Sequence, residues 1–485
     1  MASSGQPIRD VDFQPPARPA CPGRPGGRGA AGRLMLKGSI GPALAIGLVL
    51  SAAMARADEV GERAFKGTAD RDRSIVASTW FDKLYDVIKS EAIPPPSASR
   101  IYGLAAVALY EAVAPGAGNH RSLAGQLNGL NRMPKPKAKA KHHWPAVVNA
   151  ALARTIRGIF PSLKPESLAG IDALEHDFAA QFQAEVERDV YHRSVAQGQA
   201  VADAILAWAA TDGYSTYNNC PYVAIPVPGA WQPTPPGFSA KPLQPCWGLI
   251  RPMVLTSGRE CPPTGHPVFS PEAGSDFSAA ALEVYNTGLS LTDEQKTIAD
   301  YWADGAAATG TPPGHWIAIV GQIARNDRLS LSDAAEAFAR VGIAVDDAFI
   351  ECWFAKYATN LQRPVTYIHN AFDAGWLPYI ATPAFPTYTS GHSTQSGAAA
   401  SVLTAMFGKK AFTDTVHADH HLVPSQAPRS FRSFDQAAAE AAISRLYGGI
   451  HYSFDNNNGL VCGKCIAQAI KRRVQFQDDH DDKDE

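Results

Sequence analysis

From Ser74 onward the apolar residues recur at the three-to-four-residue spacing of an α-helix, and almost nowhere do they alternate as a strand requires. Trp80, Phe81, Leu84, Val87 and Ile88 mark a helix over 77–90, which Pro94-Pro95-Pro96 stops. The same spacing predicts helices over 97–113, 143–159, 165–188 and 191–211, and again over 277–286, 292–307, 315–325, 330–357, 391–406, 435–446 and 458–473. Between the two sets, residues 213–275 are dense in Pro and Gly and hold Cys220, Cys246 and Cys261. So long an irregular stretch in a compact chain is a functional or bridging loop. The expected fold class is all-α, two helical halves joined by that loop.

Composition narrows the partners. Of 485 residues, 45% are hydrophobic and 19% charged, too apolar and too weakly charged for a disordered chain. Residues 1–33 are rich in Pro, Gly, Ala and Arg and show no period. Met35-Leu36-Lys37 then lead into the apolar run 40–54, which ends in Ala55-Arg56-Ala57. A short apolar run followed by a small-x-small site predicts a secretory signal over 35–57, within a leader of 1–57. Removing that leader takes seven Lys/Arg from 44 and two acids from 46, leaving 37 against 44, a net charge of −7 instead of −2. Such a chain does not invite nucleic acid, and any anion it binds needs a local positive cluster. The expected location is outside the cytoplasm, periplasmic or secreted. No mature segment is apolar enough for a membrane span.

The expected domains are 58–275, 276–473 and an acidic disordered tail over 474–485. Six cysteines remain after the leader, an even number that suggests disulfides, with fifteen pairings open. Cys462-Gly-Lys-Cys465 lacks a second CxxC or a thioredoxin-like context, so a structural role is expected.

Three clusters in the C-terminal half carry chemistry. They are Lys356 with Arg363-Pro364, Ser390-Gly391-His392 at a helix start, and Ser444-Arg445 followed by His451 and Asp455. Singly each is weak; together they suit an oxyanion. Two guanidinium forks and a Lys match several negative oxygens. The Gly391 N–H and the Ser390 hydroxyl add neutral donors at a helix N-terminus. One His can bond the central atom while the other moves protons, and Asp455 can fix the His451 tautomer.

In order and spacing these clusters resemble the signature shared by the vanadium-dependent haloperoxidases and the type 2 phosphatidic acid phosphatases. Twenty-four residues separate Pro364 from Thr389 and 51 separate His392 from Ser444. Thr389 stands where the family usually has Pro, which implies a changed loop rigidity. Trp80, Pro94 to Arg100, Tyr110-Glu111-Ala112, Pro312 to Trp316 and the run 444–460 are similar to the long bacterial haloperoxidase-like branch.

The resemblance implies two four-helix bundles with the anion site in the second. It implies that Lys356, Arg363, Ser390, Gly391 and Arg445 hold the oxygens, that His451 is the axial ligand of vanadium, and that His392 is the general acid/base. Trp353 and Phe385 would line the halide pocket, although aromatics at such positions are as often plain core. An acid is expected beside Arg445, Asp300 or Asp304. The implied cofactor is vanadate, and the implied reaction is halide oxidation by hydrogen peroxide to a hypohalous acid equivalent. The alternative is phosphomonoester hydrolysis through a phosphohistidine at His451, with no cofactor. Halide preference, organic substrate and oligomeric state stay open.

Overall fold

The computed structural model describes residues 69–160 and 162–478. The predicted leader and signal lie outside these residues, as does the acidic run 479–485. The main helices are α1 (Ile75–Ser90), α2 (Pro95–Val113), α3 (Trp144–Ile159), α4 (Pro165–Glu185), α5 (Arg188–Ala209), α6 (Asp276–Leu289), α7 (Asp293–Tyr301), α8 (Thr311–Asn326), α9 (Leu331–Thr359), α10 (Pro364–Ala371), α11 (Gly391–Phe407), α12 (Phe434–Tyr447) and α13 (Ser453–Arg473). One small antiparallel pair, β1 (Phe412–Asp414) and β2 (Arg429–Phe431), joins Phe412 opposite Phe431. Among the described residues the fold is all-α apart from this pair.

Helix starts follow local chemistry. Pro stands in the first turn of α2, α3, α4, α8 and α10, where its missing N–H costs nothing. Ser275, Thr292, Ser330, Ser390 and Ser433 cap α6, α7, α9, α11 and α12 through their hydroxyls. The helix expected over 292–307 ends at Tyr301. Asp304 and Ala307 take positive φ, and Gly305 and Gly310 flank them, so the chain turns. Helix α10 was not expected: eight residues are too few for a clear period.

The 29-residue α9 ties the halves together. Its first part crosses α2 closely, since a Cβ on Gly342 would lie 2.6 Å from that of Ala106. Its last part runs beside α11 and α13. Helix α8 packs on α1 and α2, so packing does not divide where the sequence was divided, at 275/276. The irregular segment docks on α9: Asp347 accepts the N–H groups of Met253, Val254 and Leu255 at 2.6, 2.9 and 2.9 Å. Disulfides Cys220–Cys246 and Cys261–Cys465 secure it. Cys352 and Cys462 remain free and buried, so only one thiol of the CxxC is structural in the expected sense.

The tail boundary at 474 needs correction. Val474 and Phe476 are buried, Tyr110 Oη donates to the Phe476 carbonyl at 2.5 Å, and Arg121 N donates to it at 2.9 Å. Residues 474–478 are therefore folded onto the N-terminal half, because Phe476 is an apolar anchor between polar neighbours.

Candidate active site

The predicted residues come from five elements. Trp353 and Lys356 sit in the last turns of α9, Arg363 caps α10, Ser390-Gly391-His392 open α11, Arg445 ends α12, and His451 lies just before α13, whose first turn holds Asp455. Glycines bring α11 and α13 into contact: a Cβ on Gly463 would lie 2.2 Å from the Thr394 carbonyl, and one on Gly459 3.0 Å from the Ser390 carbonyl. That close crossing lets Ser390 N donate to the Asp455 carbonyl at 3.1 Å, locking the two active-site corners together.

His451 is held by its Nδ1 edge. Nδ1 lies 2.9 Å from Asp455 Oδ2 and 3.1 Å from Thr387 Oγ1, and the Thr387 hydroxyl also donates to Asp455. Tyr452 N adds a bond to the same carboxylate at 3.2 Å. A carboxylate accepts only, so Nδ1 carries the proton and Nε2 keeps its lone pair. Arg363 Nη1 lies 3.1 Å from that Nε2 and also donates to the Ile450 carbonyl at 2.9 Å. Burial and then the surrounding cations push the His451 pKa well below the usual value, which keeps the ring neutral.

The cations are deeply placed. Lys356 and Arg363 have no exposed surface and Arg445 is 2% exposed. Burial pulls both guanidinium pKa values down to about 10, so they remain charged at neutral pH. Lys356, lowered mainly by burial, gives its protons to the carbonyls of Pro386, Thr387 and Thr389. It thus braces the loop before Ser390, a role the spacing did not suggest. The Ser390 hydroxyl likewise accepts from Ser393 N and Ser393 Oγ.

The acid expected beside Arg445 resolves in part. Asp300 is bonded to Tyr379 Oη instead, whereas Asp304 is the acid whose charge supports Arg445 while its carboxylate bonds His315. Arg445 Nη1 donates directly to the Trp302 carbonyl at 2.5 Å. Trp353 and Phe385 do come together, ring centroids 5.0 Å apart, with the Arg363 guanidinium 4.8 Å over Phe385. Trp353 Nε1 donates to Leu243 O at 3.2 Å, so the bridging segment forms part of this wall. Thr387, Trp302 and Leu243 escaped sequence reasoning because each acts through a contact that spacing does not encode, two of them through a backbone carbonyl.

These residues suit a bound oxyanion. Arg363 Nη2, Arg445 Nε and His392 Nε2 are buried without a hydrogen-bond partner among the described residues. Orphaned polar groups at this depth are costly unless a ligand pairs them. Gly391 fits as well: a Cβ there would meet only Trp353 at 3.5 Å and Phe349 at 3.8 Å, so the fold itself does not demand Gly. Its open face lets an anion approach the N-terminus of α11.

Comparison with known proteins agrees. The profile of the VCPO second helical-bundle domain matches residues 336–479. A solved bacterial vanadium-dependent iodoperoxidase is 33% identical, with a TM-score of 0.78, over 84% of this chain and 98% of that one. The chain belongs to the vanadium-dependent haloperoxidase family. Vanadium chloroperoxidase of Curvularia inaequalis is 27% identical over 213 residues, 32% of this chain and 35% of that protein. Vanadium-dependent bromoperoxidase of Ascophyllum nodosum is 31% identical over 160 residues, 31% of this chain and 26% of that protein. The matches to these two curated haloperoxidases therefore span about a third of their length or less. A bacterial vanadium-dependent chloroperoxidase, 15% identical with a TM-score of 0.58 over 79% of this chain and 94% of that one, shares the fold.

Proposed function

We propose that this enzyme is a vanadate-dependent haloperoxidase that oxidises halide with hydrogen peroxide, iodide included. The observation that carries the reading is the His451 tautomer: Asp455 and Thr387 occupy Nδ1, which leaves the Nε2 lone pair among buried cations. Vanadate, when bound, supplies a Lewis-acidic centre that activates peroxide toward a halide nucleophile. His451 Nε2 would hold it, and Arg363 Nη2, Arg445 Nε and the Gly391 N–H would hold its oxygens. Lys356 keeps the 386–389 loop in place and adds positive charge to the site. His392 Nε2, unpartnered and held neutral first by burial and then by Arg445, is the group that takes or gives a proton. Trp353 and Phe385 offer an apolar wall where a weakly hydrated halide can wait. The name of the 33%-identical relative supports iodide, also the halide most easily oxidised.

Export is part of the proposal. The leader supports it, and so do two disulfides, which persist in oxidising compartments.

The test is purified mature protein with and without orthovanadate, assayed with peroxide and iodide, bromide or chloride, and separately with a phosphomonoester. Vanadate-dependent halide oxidation is the expected result. Phosphomonoester hydrolysis that vanadate inhibits, without halide oxidation, would move the function to the phosphatase branch. His451→Ala is expected to lose either activity, and wild-type turnover in that variant would refute the assignment.

A further inference from the structure

Behind Arg445 and His392 lies a closed group of buried charges that the proposed chemistry does not use. His315, on α8, has no exposed surface, and each of its ring nitrogens faces a carboxylate. Nδ1 lies 3.1 and 3.0 Å from the two oxygens of Asp304, and Nε2 lies 2.8 Å from Asp414 Oδ2. An unprotonated nitrogen would set lone pair against lone pair, so both carry protons and His315 is an imidazolium. Its ring stacks on the Trp302 indole, centroids 4.4 Å apart and planes 20° from parallel. Asp414 is itself anchored, since its Oδ1 accepts Val416 N at 3.0 Å and its carbonyl accepts the Tyr301 hydroxyl at 3.2 Å. Trp302 Nε1 donates to Glu440 Oε1 of α12 at 3.1 Å.

The turn 301–304 is thus gripped at Tyr301, Trp302 and Asp304. What it presents to the active site is one peptide oxygen, that of Trp302. Arg445 Nη1 donates to this oxygen at 2.5 Å. That carbonyl therefore aims a guanidinium whose Nε is left without a hydrogen-bond partner among the described residues.

We infer that His315, clamped between Asp304 and Asp414, is a positioning residue that fixes the Trp302 carbonyl and through it the Arg445 guanidinium. The inference rests on the reading of this site as a vanadate centre. A cluster serving stability alone would gain little from buried charge, since well-packed apolar residues of the same volume serve as well. The stacking of His315 on the indole of Trp302, the residue whose carbonyl Arg445 Nη1 bonds, is what a positioning role requires.

The experiment compares wild type with His315→Gln, both free of vanadate and both checked for fold by circular dichroism. Orthovanadate affinity is read by calorimetry. The Arg445 guanidinium is read by NMR of 15N-arginine-labelled protein, its signals identified by their loss in Arg445→Lys. In His315→Gln the vanadate Kd is expected to rise about tenfold or more, the usual effect of losing a residue that orients a ligand shell. The Arg445 Nη signals are expected to shift and broaden, as a guanidinium that loses its fixed acceptor becomes free to rotate. Where His315→Gln does not fold, Asp414→Asn leaves His315, Asp304 and Trp302 in place and is expected to shift both readouts the same way by less. A folded variant with wild-type Kd and wild-type Arg445 signals overturns the inference. Wild type that binds no vanadate overturns the reading of the site, while the Arg445 comparison still judges His315.

Discussion

At the scale of single residues the site is governed by which nitrogen of each histidine is free. Asp455 and Thr387 hold His451 Nδ1 at 2.9 and 3.1 Å, so the Nε2 lone pair is available without any proton transfer. Asp455→Asn keeps the shape but lets the amide bond Nδ1 in either sense, so the ring loses its fixed tautomer. Vanadate affinity of the variant is expected to fall about 10- to 100-fold by calorimetry, with the fold unchanged by circular dichroism. An unchanged affinity would mean that Asp455 does not set the His451 tautomer. The identities of Lys356, Arg363, His392, Arg445 and His451 were legible because charge and spacing express them directly. Thr387 and the carbonyl of Trp302 were not, since a hydroxyl three residues before Ser390 and a backbone oxygen leave no mark in a charge pattern.

At the scale of elements, accuracy of position comes from helix crossings. Gly459 and Gly463 let α13 approach α11 so closely that Ser390 N reaches the Asp455 carbonyl. Gly463→Ala would place a methyl 2.2 Å from the Thr394 carbonyl, and overpacking of this kind costs about 1–3 kcal/mol. The variant is expected to melt several degrees lower and to bind vanadate more weakly; loss of stability with full affinity would show that the crossing does not position the site. Long helices with Pro or Ser at their starts were visible in sequence because cap and period agree. Helix α10 and the end of α7 were not, the first for want of length, the second because a cluster of positive φ at 304–311 overrides residues that would otherwise continue the helix. The docking of 474–478 was hidden by the acidic run that follows it: Val474 and Phe476 alone carry the apolar signal.

At the scale of the whole molecule, a weakly charged chain buries a strongly charged interior. Among the described residues no helix is long and apolar enough to cross a membrane. His315 links that interior to stability. Burial opposes its charge, but Asp304 and Asp414 outweigh burial and raise its pKa to about 10. A raised folded-state pKa means that the contribution is complete below the unfolded value near 6.5 and is lost as pH climbs through about 10. Wild type is therefore expected to lose melting temperature between pH 7 and 10 more steeply than His315→Gln, and parallel curves would contradict the imidazolium assignment. In the proposed function His451 and the cations around it form one vanadate site per chain. Titrating orthovanadate into metal-free protein while following iodide oxidation by peroxide tests this. Activity is predicted to rise from background and saturate at one equivalent per chain in wild type, and to stay at background in His451→Ala; activity independent of vanadate, or equal in the two proteins, would contradict it.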